Sequence, residues 1–207
     1  MRADAQRNAV KLRTAASELF QEHGLQVSLK EIARRAGVSH GTLYNLFGSR
    51  EVLIDEVIAD LAATRLSAAA TRALASADPW QGFAGYLTEV CELQATDPAL
   101  GDVLTRRYPD ASRLMAVCDN SYAATEAIIA RAHHDGSLRP DFTASDLLSF
   151  LASHAPLARA TASTGSEAWR RQITFMLDGL RTAAATHPLP AAPLTPAQIN
   201  HLLIQES

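Results

Sequence analysis

An all-α fold is predicted for this 207-residue chain, and three observations predict it. Apolar residues recur at helical spacing from Leu12 to Ala184, and no stretch alternates apolar and polar residues as a half-buried strand would. Helix-start signals (Ser28, Ser39, Asp78-Pro79 and Asp97-Pro98) stand just ahead of apolar runs. About nine helices are expected, arranged as a head over residues 1–50, a helical body over 51–186 and a Pro-rich tail over 187–207.

The first helix is read over residues 12–24, where Leu12, Ala15, Ala16, Leu19 and Phe20 form one buried stripe. Ser28 followed by Glu31 has capping-box spacing: the Ser hydroxyl takes the third helical N–H and the Glu reaches back to the cap. That helix runs Leu29–Ala36 and stops at Gly37, which a left-handed backbone would favour. Ser39 then caps a helix over His40–Phe47. Two short helices joined by Gly37-Val38-Ser39 have the form of a helix-turn-helix, whose second helix enters a DNA major groove.

A long helix follows over Glu51–Ala75, apolar at first (Val52, Leu53, Ile54, Val57, Ile58, Leu61) and then Ala-rich, so it serves both head and body. Asp78-Pro79 starts a helix with Trp80, Phe83, Ala84, Leu87, Val90 and Cys91 on one stripe. Asp97-Pro98 starts a shorter one that fades at Arg106. The next spans about Ala111–Ala132, with Met115, Cys118, Tyr122, Thr125 and Ile129 aligned, and closes near Gly136. A connector at Leu138–Asp141 leads to two last long helices, Thr143–Thr161 and Ser166–Thr186. Pro156 should kink or interrupt the first of them. In the tail, Pro196–Ile204 has the apolar spacing of one more short helix.

LRTAASELFQEHG at residues 12–24 and GVSHGTLYNLFGSRE at residues 37–51 together resemble the DNA-binding domain of the TetR family of bacterial transcriptional regulators. The resemblance implies a homodimer, paired through the helices at about 143–161 and 166–186, that reads a near-palindromic site in double-stranded DNA. It implies phosphate contacts from the hydroxyls of Thr42 and Tyr44 and from Arg50, which stands where the family usually has Lys. Lys30 and Ser28, at the start of the first motif helix, join the same interface. Base choice is expected from Ser39, His40, Gly41 and Asn45, since His and Asn can read base edges. Leu46 departs from the family, where a polar or aromatic residue is common. Arg34 and Arg35 read better as a solvated face, while Arg2 and Arg7 are within reach of the duplex.

The family also places a small-molecule effector in the helical body. Trp80, Phe83, Tyr86, Cys91, Arg106, Met115, Cys118, Tyr122, Phe150 and His154 are candidate lining residues. On apolar stripes most of them serve equally well as ordinary core, and Tyr122 and His154 are the strongest candidates because a buried polar group needs a partner.

Charge is consistent with a head that meets phosphates. Residues 1–50 hold eight basic and four acidic side chains, hence +4, against a whole-chain charge of −3. Cys91 and Cys118 are not in a metal or redox spacing and read as free thiols of a reducing cytosol. The start Met1-Arg2-Ala3-Asp4 has no apolar signal region, and no apolar run is long enough to span a bilayer, so a cytoplasmic protein without membrane contact is expected. His133-His134-Asp135 is the densest titratable cluster; adjacent histidines diverge by about 100° on a helix, so neither a metal site nor catalysis is expected, and no cofactor is. A ligand-modulated repressor is the leading expectation. A nonspecific architectural DNA-binding protein and an activator of the same fold are the alternatives.

Overall fold

In the computed structural model, which describes residues 2–162 and 164–203, ten α-helices and one 3₁₀ turn make up the secondary structure. The helices are α1 (Arg2–His23), α2 (Leu29–Ala36), α3 (His40–Phe47), α4 (Arg50–Ala75), α5 (Pro79–Thr96), α6 (Pro98–Thr105), α7 (Ser112–His134), α8 (Ala144–Ala162), α9 (Ala168–Leu180) and α10 (Pro196–Leu203). The expected all-α fold is present, with the tail helix as the tenth among the described residues. The Ile204 end proposed for that helix lies outside the described residues, as do the Met1 start and the Arg2 side chain.

Local chemistry accounts for most helix ends. Ser28, Ser39, Ser49, Asp78 and Asp97 each accept the N–H three residues on, and Pro at the first position of α5 and α6 forfeits an N–H that has no helical acceptor anyway. Only half of the expected capping box forms. Ser28 takes the Glu31 N–H, but the Glu31 carboxylate turns to the Arg34 guanidinium at 2.6 and 2.9 Å, a stronger acceptor–donor match than the backbone. Gly37 has φ +67° and lets the amides of Gly37 and Val38 close back on α2.

Two cores share α4. Leu53, Ile54, Ile58, Ala59 and Ala62 complete the head core with Leu12, Leu19, Phe20, Ile32, Leu43 and Phe47. Ala69, Ala70 and Ala73 belong to the body core with Phe83, Leu87, Val90, Leu147, Leu151 and Trp169. Fully burying each large aliphatic or Phe side chain contributes roughly 1.5–3 kcal/mol. The head core does not end with α4, for it takes in Leu100, Val103 and Leu114 from α6 and α7. The Asp55 carboxylate of α4 accepts the Leu114 N–H at 2.7 Å and so tends the start of α7, whose own N-cap Ala111 cannot.

Two expectations about the last helices need correction. α8 is not interrupted at Pro156: the helix continues through this exposed residue, which brings no N–H of its own. α9 stops at Leu180 rather than Thr186. There the backbone becomes extended and pairs with the connector: Arg139 N–H donates to Leu180 O at 3.0 Å and Thr182 N–H to Ser137 O at 3.1 Å. The Arg181 guanidinium lies over the Trp80 ring at 4.0 Å, which fixes the exit. Beyond it the chain is exposed until α10, where Ile199 and Leu203 are buried and pack the tail back against α8.

Candidate nucleic-acid interface and body cavity

α3 is held from behind and free in front. Leu43 and Phe47 are buried in the head core, while Ser39, His40, Gly41, Tyr44 and Asn45 are exposed and Thr42 and Leu46 are half-buried. The Ser39 hydroxyl accepts the Thr42 N–H at 3.1 Å and also meets the Thr42 hydroxyl at 2.8 Å. The amides of His40 and Gly41 lie in the first turn, where a helix supplies no acceptor, and Gly41 adds no side chain in front of them. His40 and Tyr44, one turn apart, stand edge to face with ring centroids 5.0 Å apart, so Tyr44 steadies the imidazole and keeps its hydroxyl in solvent.

The cations around α3 divide clearly. Arg34 is paired with Glu31, and Arg35 lies 3.5 and 3.3 Å from Glu18 and Glu22, so the solvated-face reading of these two matches their placement. Arg7 is paired with Asp4. Lys30 is exposed at the first turn of α2, beside the Ser28 cap, and no ion pair engages it among the described residues. Arg50 is engaged within the chain: its Nη1 donates to Leu25 O at 3.1 Å and Val27 O at 2.6 Å, which clips α4 to the α1–α2 turn.

The same turn is gripped from the body. Asp102 on α6 is buried, and its Oδ2 accepts the Leu25 N–H at 2.7 Å. Gly24 precedes it with φ +81°, and a Cβ there would stand 2.6 Å from that carboxylate oxygen. Burial pushes the Asp102 carboxyl above its ordinary value, while the Leu25 N–H and the nearby Arg106 charge oppose that shift. Arg106 lies 3.8 Å from Asp102 and also lines a cavity in the body.

That cavity, of about 50 Å³, is bounded by α4, α5, α6, α7, α8 and by Leu203 of α10. Leu66, Val90, Leu147 and Leu151 make its apolar wall; the Tyr86 and Thr125 hydroxyls, 2.8 Å apart, and Ser121 add polar groups. Of the residues expected to line an effector site, Tyr86, Arg106, Cys118 and Tyr122 do line this space. The others lie elsewhere. Trp80 meets Phe83 at a tilt and Phe83 meets Phe142 edge-on, Cys91 is fully buried, and Met115 packs on the head core. Phe150 stacks on His154, whose ring also meets Trp169 edge-on. The His154 Nδ1–H donates to Gln94 Oε1 at 3.0 Å, since the Gln94 amide N–H is spent on Leu151 O. Burial holds this imidazole below its ordinary pKa, the mark of a neutral core histidine. Leu66, Arg107, Thr125 and Leu203 were missed. Only their non-local convergence identifies them, and no local motif carries that signal.

No group of His, Cys, Asp and Glu among the described residues has the geometry of a metal site, and no described helix is long and apolar enough to cross a membrane.

Residues 12–57 match the model of the bacterial regulatory proteins of the tetR family, and residues 78–182 match the C-terminal domain of SbtR-like transcriptional regulators. The HTH-type transcriptional regulator UidR of Escherichia coli K12 is 39% identical over 59 residues, 28% of this chain and 30% of that protein; the likeness thus spans under a third of the relative. Among solved structures, FadR of Bacillus subtilis in complex with stearoyl-CoA is similar in fold, with a TM-score of 0.60 at 15% identity, covering 86% of this chain and 100% of that one. RolR in complex with resorcinol is similar with a TM-score of 0.57 at 21% identity, covering 92% and 99%.

Proposed function

From the premise that the chain belongs to the TetR family of bacterial transcriptional regulators, we propose that it is a cytoplasmic, homodimeric repressor whose hold on a near-palindromic operator is modulated by a small molecule in the body. The observation that carries this reading is the outer surface of α3. A capped two-turn helix, anchored by Leu43 and Phe47, offers an imidazole, an amide and a phenol to solvent beside two unsatisfied backbone amides. His40 and Asn45 read base edges, while Tyr44, Thr42, Lys30 and the α3 N-terminus grip phosphates. Arg50 acts as a positioning residue, because its donors hold the α1–α2 turn.

Dimerisation is supported by the outer face of α8 and α9, where Leu157 and Phe175 are exposed, Phe175 at 67%. Effector control is supported by the line from cavity to head: Arg106 on the cavity wall, Asp102 beside it, and the Leu25 N–H held by Asp102. A ligand that draws α6 or Arg106 aside shifts the turn that seats the head. Such coupling is reciprocal and typically worth about 1–3 kcal/mol.

Selection of bound sequences from a random duplex library by the full-length protein tests the reading. A two-fold symmetric site is expected, and Asn45→Ala is expected to relax base preference within each half-site. Salt-sensitive binding with no enriched sequence would replace the regulator with a nonspecific DNA-binding protein.

A further inference from the structure

A cavity of about 50 Å³ is far smaller than ligand sites, which usually measure hundreds of cubic ångströms. Something must move for an effector to enter, and the walls differ in how firmly they are held. Leu147 and Leu151 sit on a long helix of the body core. Leu203 sits on α10, which is reached through an exposed segment and, among the described residues, is anchored by the buried side chains Ile199 and Leu203. The Arg107 N–H donates to Leu203 O at 3.1 Å and ties the described end of α10 to the cavity mouth.

Immediately beside the cavity, a wider cleft of about 320 Å³ runs under the tail. Arg107, Tyr122 and Leu148 border both spaces, and Pro196, Ile199 and Asn200 form the tail side of the cleft. Lifting α10 therefore joins the two. The tail also lies beyond residue 182, where the match to the C-terminal family domain ends.

We propose that α10 is a displaceable plug: Leu203 occupies the mouth of the body cavity, and the effector, a molecule with an apolar body and one hydrogen-bonding group, enters by taking its place. This rests on the reading of the cavity as the effector site. The apolar wall receives the body of the ligand, and the Tyr86–Thr125 hydroxyl pair or the Arg107 guanidinium receives its polar group. While α10 is seated, apparent affinity is lowered by the fraction of time the mouth is closed. The tail is thus a self-ligand that sets the threshold for response.

Cys118 lines the same cavity, whereas Cys91 is fully buried away from it, with burial pushing its thiol up to about 12. The full-length chain and its Ile199→Asp/Leu203→Asp variant are compared for the rate of N-ethylmaleimide addition at pH 8.5. The expected result is that Cys118 reacts about tenfold faster in the variant while Cys91 stays unreactive, as a lifted plug requires. Equal Cys118 rates would overturn the proposal. Should Cys91 also react in the double variant, the milder Leu203→Ala chain decides by the same two outcomes. The probe 8-anilinonaphthalene-1-sulfonate is expected to bind the variant about tenfold more tightly and to protect Cys118; equal affinity in both chains would also overturn it. Neither measurement involves DNA, so failure to select an operator would sink the regulator reading and leave this result standing.

Discussion

The outer surface of α3 and the inner cavity of the body are built in opposite ways. On α3 every side chain offered to solvent is within eight residues of its neighbours, and a local cap and a local turn orient the whole set. The cavity is assembled from six helices whose contributing residues run from Leu66 to Leu203. A surface made by one helix varies one residue at a time; a space left between helices responds to any of its walls. The head thus suits a fixed reading geometry, and the body suits a shape that a ligand can alter.

The largest expected effect falls on the core that supports α3. Phe20 is fully buried in the head core, and Phe20→Ala should cost about 3–5 kcal/mol of head stability. Both tryptophans, Trp80 and Trp169, lie in the body. DNA binding should therefore be lost at temperatures where tryptophan emission is still native; simultaneous loss of the two signals would show that head and body melt as one unit.

A smaller effect sharpens the seam between the two regions. Arg50→Ala removes a charged donor from two carbonyls of the α1–α2 turn and should lower stability by about 1.5–3 kcal/mol. Thermal melting without DNA checks it. An unchanged melting temperature together with weaker operator binding would restore Arg50 to the phosphate-contact role that its position in the motif suggests.

The smallest effect belongs to the body alone. His154 is buried neutral with a lowered pKa, so below the ordinary imidazole value the unfolded chain takes up the proton first. Stability should fall as pH drops from about 7 through that value, by no more than about 1.4 kcal/mol per pH unit. In His154→Gln the decline of melting temperature between pH 7.5 and 5.5 should be shallower. Asp102, raised by burial, pulls the other way and cancels in the difference between the two chains.

The head was nearly all legible in the sequence because its signals are local. Ser28, Gly37 and Ser39 do in the structure what their types and spacing imply, and Leu43 and Phe47 face the core. Arg50 was not legible as a clip, since its acceptors lie 25 and 23 residues away. In the body, periodicity gave the helices but not which inward residues border empty space. His154 and Tyr122 look alike as polar residues on apolar stripes, yet one places its Nδ1–H on Gln94 within the core and the other faces the cavity. The end of α9 was misplaced for a similar reason: a bridge between Leu138 and Arg181 overrides a helical pattern that runs on to Thr186.

The Leu25–Asp102 hydrogen bond spans 77 residues, and the head core is closed by Leu100, Val103 and Leu114. The head core is therefore incomplete until α6 and the start of α7 have been made. A fragment ending at α4 keeps its helix-turn-helix sequence but exposes the apolar surface that α6 covers. Unlike a bead on a string, the reading head matures only after much of its regulator has been synthesised.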